Sequence, residues 1–87
     1  MAEFRLTFAR SARKDLEALD PPLGRRILGK IISLATDARP AGCAKLTGAP
    51  NLWRIRVGDW RVVYSIDDRS RAVDVVAVRH RSDAYRR

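Results

Sequence analysis

The chain has little of several residue types on which common kinds of sites depend. Its 87 residues include one cysteine, Cys43, and one histidine, His80. A single cysteine excludes an intramolecular disulfide and a zinc site built on cysteines, and it favours a reduced, cytoplasmic setting. No His, Asp or Glu cluster has the spacing of metal ligands. We therefore expect neither a metal nor a cofactor.

Long apolar runs are missing as well. The first fifteen residues, MAEFRLTFARSARKD, contain no run of signal-peptide length, and no later segment is long enough to span a membrane. Gly-rich phosphate loops before a helix are absent, and no serine or cysteine lies in a motif that supplies a base. These absences predict a soluble, cytoplasmic protein with no membrane association.

Acidic residues are few relative to basic ones. Eighteen Lys and Arg face ten Asp and Glu, which gives a net charge of +8, and fifteen of the eighteen cations are arginine. Arginine binds phosphate and carboxylate in a planar, two-pronged geometry that lysine lacks. The excess therefore favours a polyanionic partner such as nucleic acid. The alternative is that an arginine-rich codon usage accounts for the whole composition.

Periodicity in the first part of the chain predicts one strand and two helices. Glu3 to Phe8 alternates between apolar and polar residues, as a strand does. Ser11 is positioned to cap a helix ending near Leu19. Asp20, followed by Pro21, is positioned to cap a second helix that runs to about Ala35. The two helices must turn back on each other as a helical hairpin.

Three strands are predicted after a loop that spans Thr36 to Pro50. The strands cover about Leu52–Val57, Trp60–Ile66 and Ala72–Arg79. The last is nearly continuously apolar, which predicts a strand that is covered on both faces or lies at the sheet centre. Residues 1–87 are therefore expected to form one α+β domain of order β-α-α-β-β-β. Its helical hairpin packs on one face of a small, mainly antiparallel sheet, and a short helix or turn forms the C-terminal tail.

The stretch WRIRVGDWRVVY, residues 53–64, alternates arginine with bulky apolar residues around Gly58-Asp59. A two-residue loop with glycine first suits a type II′ turn. It sets Val57 opposite Trp60, Arg56 opposite Arg61, Ile55 opposite Val62 and Arg54 opposite Val63. The covered face then carries Trp53, Ile55, Val57, Trp60, Val62, Tyr64 and Ile66.

Three arginines of this hairpin emerge on the other face: Arg54, Arg56 and Arg61. Pairing Arg56 directly with Arg61 costs about 0.2–1 kcal/mol. One interpretation is a solvated outer face of an arginine-rich chain. The other is a phosphate site, which Arg79, His80 and Arg81 join if the last strand pairs beside the hairpin, with Tyr85, Arg86 and Arg87 following.

Such a cluster suits RNA cleavage without a metal. The ribose 2′-OH attacks the adjacent phosphate, and the reaction needs a base, cations for the pentacoordinate phosphate and an acid for the departing 5′-oxygen. Arginines suit the cationic role but are poor bases, since they keep their protons. His80 is the side chain that titrates near neutral pH, and Tyr85 is suited to stacking on a base.

Two segments, KLTGAPNLWRIRVGDWRVVYSI and VDVVAVRHRSDAYRR, resemble the RelE/ParE superfamily of bacterial toxins. Within it they are most similar to the RelE-type mRNA interferases. The resemblance implies a RelE-like fold and a cytosolic toxin that enters the ribosomal A site and cleaves mRNA there. It also implies an inhibitory protein antitoxin that wraps over the toxin, in a complex of higher order.

The resemblance also implies site residues. Basic residues of the second strand, the arginine of the "W-R" pair, a basic residue near the end of the last strand and a tail tyrosine correspond to Arg54, Arg56, Arg61, Arg79 or Arg81, and Tyr85. Some members use a histidine close to the tail, where His80 stands. Cations expected to contact RNA or the ribosome are Lys45, Arg54, Arg56, Arg86 and Arg87.

Departures from the family pattern leave the general base open. Arg54 and Arg56 stand where some members have lysines, and a glutamate base used by certain members has no evident counterpart. We expect Arg61→Ala to abolish cleavage, and His80→Ala or Tyr85→Phe to slow it. Two other functions remain open at this point: a ParE-like inhibitor of DNA gyrase, and a basic RNA- or ribosome-binding module without catalysis.

Overall fold

A computed structural model describes residues 3–84 of the chain. The predicted α+β class and its order of elements are confirmed, with one short strand added. The elements are β1 (Arg5–Phe8), α1 (Arg10–Glu17), α2 (Pro21–Ser33), β2 (Ala44–Lys45), β3 (Leu52–Val57), β4 (Trp60–Asp67), β5 (Ala72–His80) and α3 (Arg81–Ala84). Among the described residues, no helix is both long and apolar enough to cross a bilayer.

The five strands form one mixed sheet in the order β1-β5-β4-β3-β2. Neighbouring strands are antiparallel except β1 and β5, which pair in parallel. The chain between β1 and β5 contains the helical hairpin and the other three strands, which is ample length for the crossover connection that a parallel pair requires. β5 lies between β1 and β4 and so has a neighbouring strand on each side, although the central strand of the five is β4.

Two local predictions were wrong. The loop from Thr36 to Pro50 contains β2, which pairs Ala44 with Arg54 of β3; two residues are too few to show a strand periodicity in the sequence. Ser11 does not cap α1, whose N-cap is Ala9. Its hydroxyl instead donates to the Val76 carbonyl at 2.8 Å, because α1 lies beside β5.

The second helix begins as predicted and ends slightly earlier. Asp20 is the N-cap of α2 and prolines occupy its first turn, although the Asp20 side chain makes no capping bond. Beyond Ser33 the backbone tightens: the Leu34 N–H donates to Ile31 at 2.9 Å and the Ala35 N–H to Ile32 at 3.1 Å. Such i→i−3 bonds commonly close the last turn of a helix.

The core lies between α2 and the inner face of the sheet. Apart from Ala12 and Ala38, its buried residues come from α2 and the turn after it, and from β3, β4 and β5: Ile27, Ile31, Leu34, Ile55, Val57, Val62, Tyr64, Ile66, Val73, Val75 and Val78. Trp53 and Trp60 are partly buried against this cluster. The face predicted to be covered is therefore the face that carries the core.

The β3–β4 hairpin has the predicted register. Val57 pairs with Trp60, Arg56 with Arg61, Ile55 with Val62, and Arg54 with Val63. Gly58 has φ +61° and Asp59 is not among the residues with positive φ, which agrees with a type II′ turn. Glycine suits this position because it takes positive φ without a Cβ clash.

Three contacts hold the loop after α2 against β3, β4 and the turn that follows β4. The Tyr64 hydroxyl, fully buried, donates to the Ala38 carbonyl at 2.8 Å. Arg39 forms a two-pronged ion pair with Asp68, at 3.1 and 2.9 Å, and its guanidinium lies 4.8 Å from the Trp53 ring centroid. The hydrogen bond from Arg39 holds the pKa of Asp68 below its usual range.

We expect Tyr64→Phe to lower the free energy of unfolding by about 1–3 kcal/mol, because it leaves the buried Ala38 carbonyl without its donor. Urea denaturation of the two proteins measures this difference. Thr7→Val, which removes an exposed hydroxyl bonded to Asp74 at 2.6 Å, is the comparison and should cost less. Equal losses in both variants would contradict a special role for the buried bond.

The difference in unfolding free energy between wild type and Tyr64→Phe should depend on pH. Burial, above all, raises the pKa of Tyr64 far above its ordinary value. The protonated phenol is therefore favoured in the folded state, so its contribution is complete below the ordinary pKa of about 10 and is lost as pH rises above it. The difference in unfolding free energy between wild type and Tyr64→Phe should be constant below that pH and shrink above it.

Candidate functional site

A row of three arginines crosses the outer face of the sheet. Arg56 of β3 lies opposite Arg61 of β4, and Arg61 lies opposite Arg79 of β5. Directly opposite residues share a face, and neighbouring strands are about 4.8 Å apart. Three positively charged side chains therefore project side by side from three adjacent strands. The sequence alone predicts only the pairing of Arg56 with Arg61.

Arg54 extends the row along β3. It stands two residues before Arg56, on the same face, and opposite Val63. Arg54 and Arg61 are partly buried, whereas Arg56 and Arg79 are exposed. Each direct pairing of like charges costs about 0.2–1 kcal/mol in a sheet, so the row is a local source of instability. An anion bound across the row would remove that repulsion.

An open cavity of about 400 Å³ adjoins this cluster at the edge of β3. Besides Arg54 and Arg56 it is lined by Lys30 and Ser33 of α2, by Ile55 and by Pro40, Ala41 and Gly42. Sequence reasoning missed Lys30, since a lone lysine on a helix resembles any solvated cation. The cavity thus brings a third cation, from another element, to the arginines of β3.

A β-bulge decides which residues of β5 reach the outer face. Val63 pairs with Ala77 and Tyr64 with Val75, so Val76 is the extra residue. Val73 and Val75 are buried, and an unbroken alternation would have turned Arg79 inward and His80 outward. The bulge reverses this: Val78 is buried and Arg79 joins Arg61.

His80 lies on the opposite face from the arginine row. It pairs with Trp60, whose ring it meets edge-on at a centroid distance of 5.3 Å. The Ser82 N–H donates to Nδ1 at 3.2 Å, and the Ser82 hydroxyl lies 2.9 Å from the same nitrogen. The prediction that Arg79, His80 and Arg81 reach one face was therefore wrong for His80, because consecutive residues of a strand face opposite ways.

The remaining predicted residues are more scattered. Arg81 opens α3 and is exposed, and its N–H donates to the Asp59 carbonyl at 2.7 Å. Lys45 pairs with Trp53, which sets it on the other face from Arg54. Tyr85, Arg86 and Arg87 lie outside the described residues.

Arg79 is held by an acid that sequence reasoning also missed. Asp15 of α1 accepts from the Arg79 Nε at 3.3 Å and from the Val78 N–H at 3.0 Å. Nothing in the sequence connects residues 64 positions apart, so only the packing of α1 beside β5 reveals the pair. Residues 3–84 contain no group of three or more His, Cys, Asp or Glu side chains placed to hold a metal ion.

Comparison with known proteins supports one family throughout. Residues 6–85 match the family model described as the ParE toxin of the type II toxin–antitoxin system, parDE. Toxin RelG of Mycobacterium tuberculosis (strain ATCC 25618 / H37Rv) is 30% identical over an alignment of 89 positions, and the alignment covers 97% of this chain and 98% of that protein.

Solved structures agree with this match. The toxin fold of the RelE–RelB complex from Pyrococcus horikoshii OT3 superposes with a TM-score of 0.78 at 26% identity, covering 90% of this chain and 94% of that one. The intact E. coli RelBE toxin–antitoxin complex gives a TM-score of 0.75 at 26% identity, covering 86% and 93%. The chain therefore belongs to the RelE/ParE family of toxins from type II toxin–antitoxin systems.

Proposed function

We propose that this toxin is a ribosome-dependent endoribonuclease that cleaves mRNA in the A site and thereby stops translation. The observation that carries the proposal is the row of Arg56, Arg61 and Arg79 across three adjacent strands. An anion that lies across the row would relieve the repulsion among these side chains, beyond what Asp15 offsets at Arg79. RNA phosphate is the anion that both the family and the charge of +8 favour.

The row suits one part of the reaction in particular. When the ribose 2′-oxygen attacks phosphorus, the bond to the 5′-oxygen breaks and a 2′,3′-cyclic phosphate and a 5′-hydroxyl result. Negative charge on the phosphoryl oxygens grows in the pentacoordinate transition state, and preorganised guanidinium groups stabilise that charge. Arg61, partly buried between Arg56 and Arg79, is the central cation of this site.

Proton transfer belongs to other groups. Arginines remain protonated, and His80 lies on the other face against Trp60. Tyr85 remains a candidate from the family pattern. A site that is rich in charge stabilisation and poor in bases depends on exact placement of the 2′-oxygen, which the ribosome supplies by holding the mRNA. Cleavage of free RNA should therefore be weak.

The RNA strand extends beyond the scissile phosphate, and the cavity beside β3 suits its continuation. Lys30, Arg54 and Arg56 line that cavity and offer charge to a neighbouring phosphate. Arg86 and Arg87 remain predicted contacts of RNA or the ribosome. Lys45 also remains one, although it faces away from the row and would contact a different part of the particle.

We also propose a cognate antitoxin that inhibits the toxin in the cytoplasm, in a complex of higher order. The similar structures from P. horikoshii and E. coli are toxin–antitoxin complexes. A partner of this chain needs acidic side chains to match its charge and apolar ones to cover exposed apolar surface. Leu28 and Ile32 of α2 are 37% and 56% exposed and offer such a surface.

A second function, inhibition of DNA gyrase, is favoured by one observation, the match to the ParE family model. A translating extract with a defined mRNA separates the two. Primer extension should reveal new 5′ ends in the mRNA only when ribosomes and toxin are both present. Intact mRNA together with gyrase-trapped DNA breaks would contradict the proposal and support the second function, and intact mRNA without such breaks would indicate a binding module.

In this assay Arg61→Ala should reduce cleavage by at least about 100-fold, because it removes the central cation from the transition state. Binding to the antitoxin, measured by copurification, should persist. Arg69→Ala is the matched control, since Arg69 is an exposed arginine in the turn between β4 and β5. Full activity of Arg61→Ala, or an equal loss in Arg69→Ala, would refute the assignment.

The position of His80 revises the expectation from sequence. His80→Ala should cleave within about threefold of wild type. It should lower the free energy of unfolding by about 0.5–1.5 kcal/mol, because the contact with Trp60 is lost. Single-turnover cleavage and urea denaturation test the two parts. A loss of cleavage as large as that of Arg61→Ala would show that His80 takes part in the chemistry.

A further inference from the structure

The outer edge of β5 changes its neighbour partway along the strand. β1 pairs with β5 only as far as Phe8 and Val75, and the chain then enters α1. The Ala9 N–H donates to the Val75 carbonyl at 2.8 Å, and the Ser11 hydroxyl donates to the Val76 carbonyl at 2.8 Å. α1 therefore continues the edge contacts that β1 began, partly with side chains.

Asp15 of α1 makes the last of these edge contacts, and it also binds the side chain of Arg79. Its Oδ2 atom accepts from the Val78 N–H at 3.0 Å and from the Arg79 Nε at 3.3 Å. The backbone bond fixes the carboxylate against β5, and the carboxylate in turn fixes the guanidinium. The Asp15 side chain is 25% exposed and that of Arg79 is 50% exposed, so the anchor is the better shielded partner.

This contact uses the donor of Arg79 that lies nearest the backbone. A guanidinium has five N–H donors, of which Nε carries one and the two Nη atoms carry four. Within residues 3–84, the ion pair with Asp15 goes through Nε only. The ion pair thus restrains the inner end of the guanidinium, while within residues 3–84 no hydrogen bond or ion pair engages its two-pronged Nη end, which can meet an anion on the outer face beside Arg61.

We propose that Asp15 is a positioning residue for RNA cleavage, which holds Arg79 by Nε so that its Nη groups meet the scissile phosphate. The inference rests on the proposed ribonuclease function. An unrestrained arginine has to lose the freedom of a long side chain when it binds phosphate, whereas Arg79 has lost part of it on folding. Asp15 also offsets the repulsion between Arg79 and Arg61.

A purely structural role, in which Asp15 only completes the edge of β5, gives a different result on substitution. In Asp15→Asn an amide oxygen still accepts from the Val78 N–H, but the charge that holds Arg79 is gone. In Asp15→Ala both interactions are lost. Asp20→Asn is the matched control: Asp20 is an exposed acid at the start of α2, its side chain makes no capping bond, and the charge change is the same.

The test measures single-turnover cleavage of ribosome-bound mRNA over a range of toxin concentrations, together with thermal unfolding. Asp15→Asn should cleave roughly tenfold more slowly at saturation, with half-saturation and melting temperature close to those of Asp20→Asn. In an Arg79→Ala background, which is itself slow, Asp15→Asn should cause no further loss, because there is no guanidinium left to position.

The outcomes separate the two proposals. If wild type cleaves and Asp15→Asn matches Asp20→Asn, the positioning role is wrong and the ribonuclease function stands. The role is equally wrong if Asp15→Asn slows cleavage as much in the Arg79→Ala background as in wild type. If wild type leaves ribosome-bound mRNA intact, the ribonuclease function is wrong and the positioning role falls with it.

Discussion

The Gly58-Asp59 turn leaves two residues between β3 and β4, and this length fixes which side chains of the two strands lie opposite each other. With one residue more or fewer in the turn, β4 would present its opposite face relative to β3, so Trp60 and Arg61 would no longer share faces with Val57 and Arg56. Because β4 also pairs with β5, the same register extends to Arg79. The core on one face and the arginine row on the other are therefore two results of a single constraint.

This arrangement allows a small protein to concentrate like charges on one surface. The inner face of the sheet supplies the burial that stabilises the fold, through α2 and the apolar residues of β3, β4 and β5. The outer face contributes little to that core, so repulsion there costs only local stability. α1 adds the acid that β5 itself lacks beside Arg79, without bringing a carboxylate onto the hairpin.

Much of this could be predicted from the sequence, for physical reasons that also mark the limits. The hairpin was predictable because alternation and turn chemistry are local and agree with each other. β2 was not, since two residues carry no periodicity. Asp15 was not, since its partner is distant in sequence and the pairing depends on how α1 packs. The face of His80 was not predictable either, since neighbours in a strand diverge and the bulge at Val76 decides which of Arg79 and His80 faces outward.

The bulge at Val76 determines which side chains the end of β5 presents on the outer face of the sheet. The alternation of inward and outward side chains shifts by one residue at the bulge. This one extra residue therefore exchanges the two faces for every residue at the end of β5. Its loss would leave the composition almost unchanged, yet it would exchange the guanidinium of Arg79 for the imidazole of His80 on the outer face. A single-residue insertion or deletion in a strand thus changes the chemistry on offer without replacing any residue of the site.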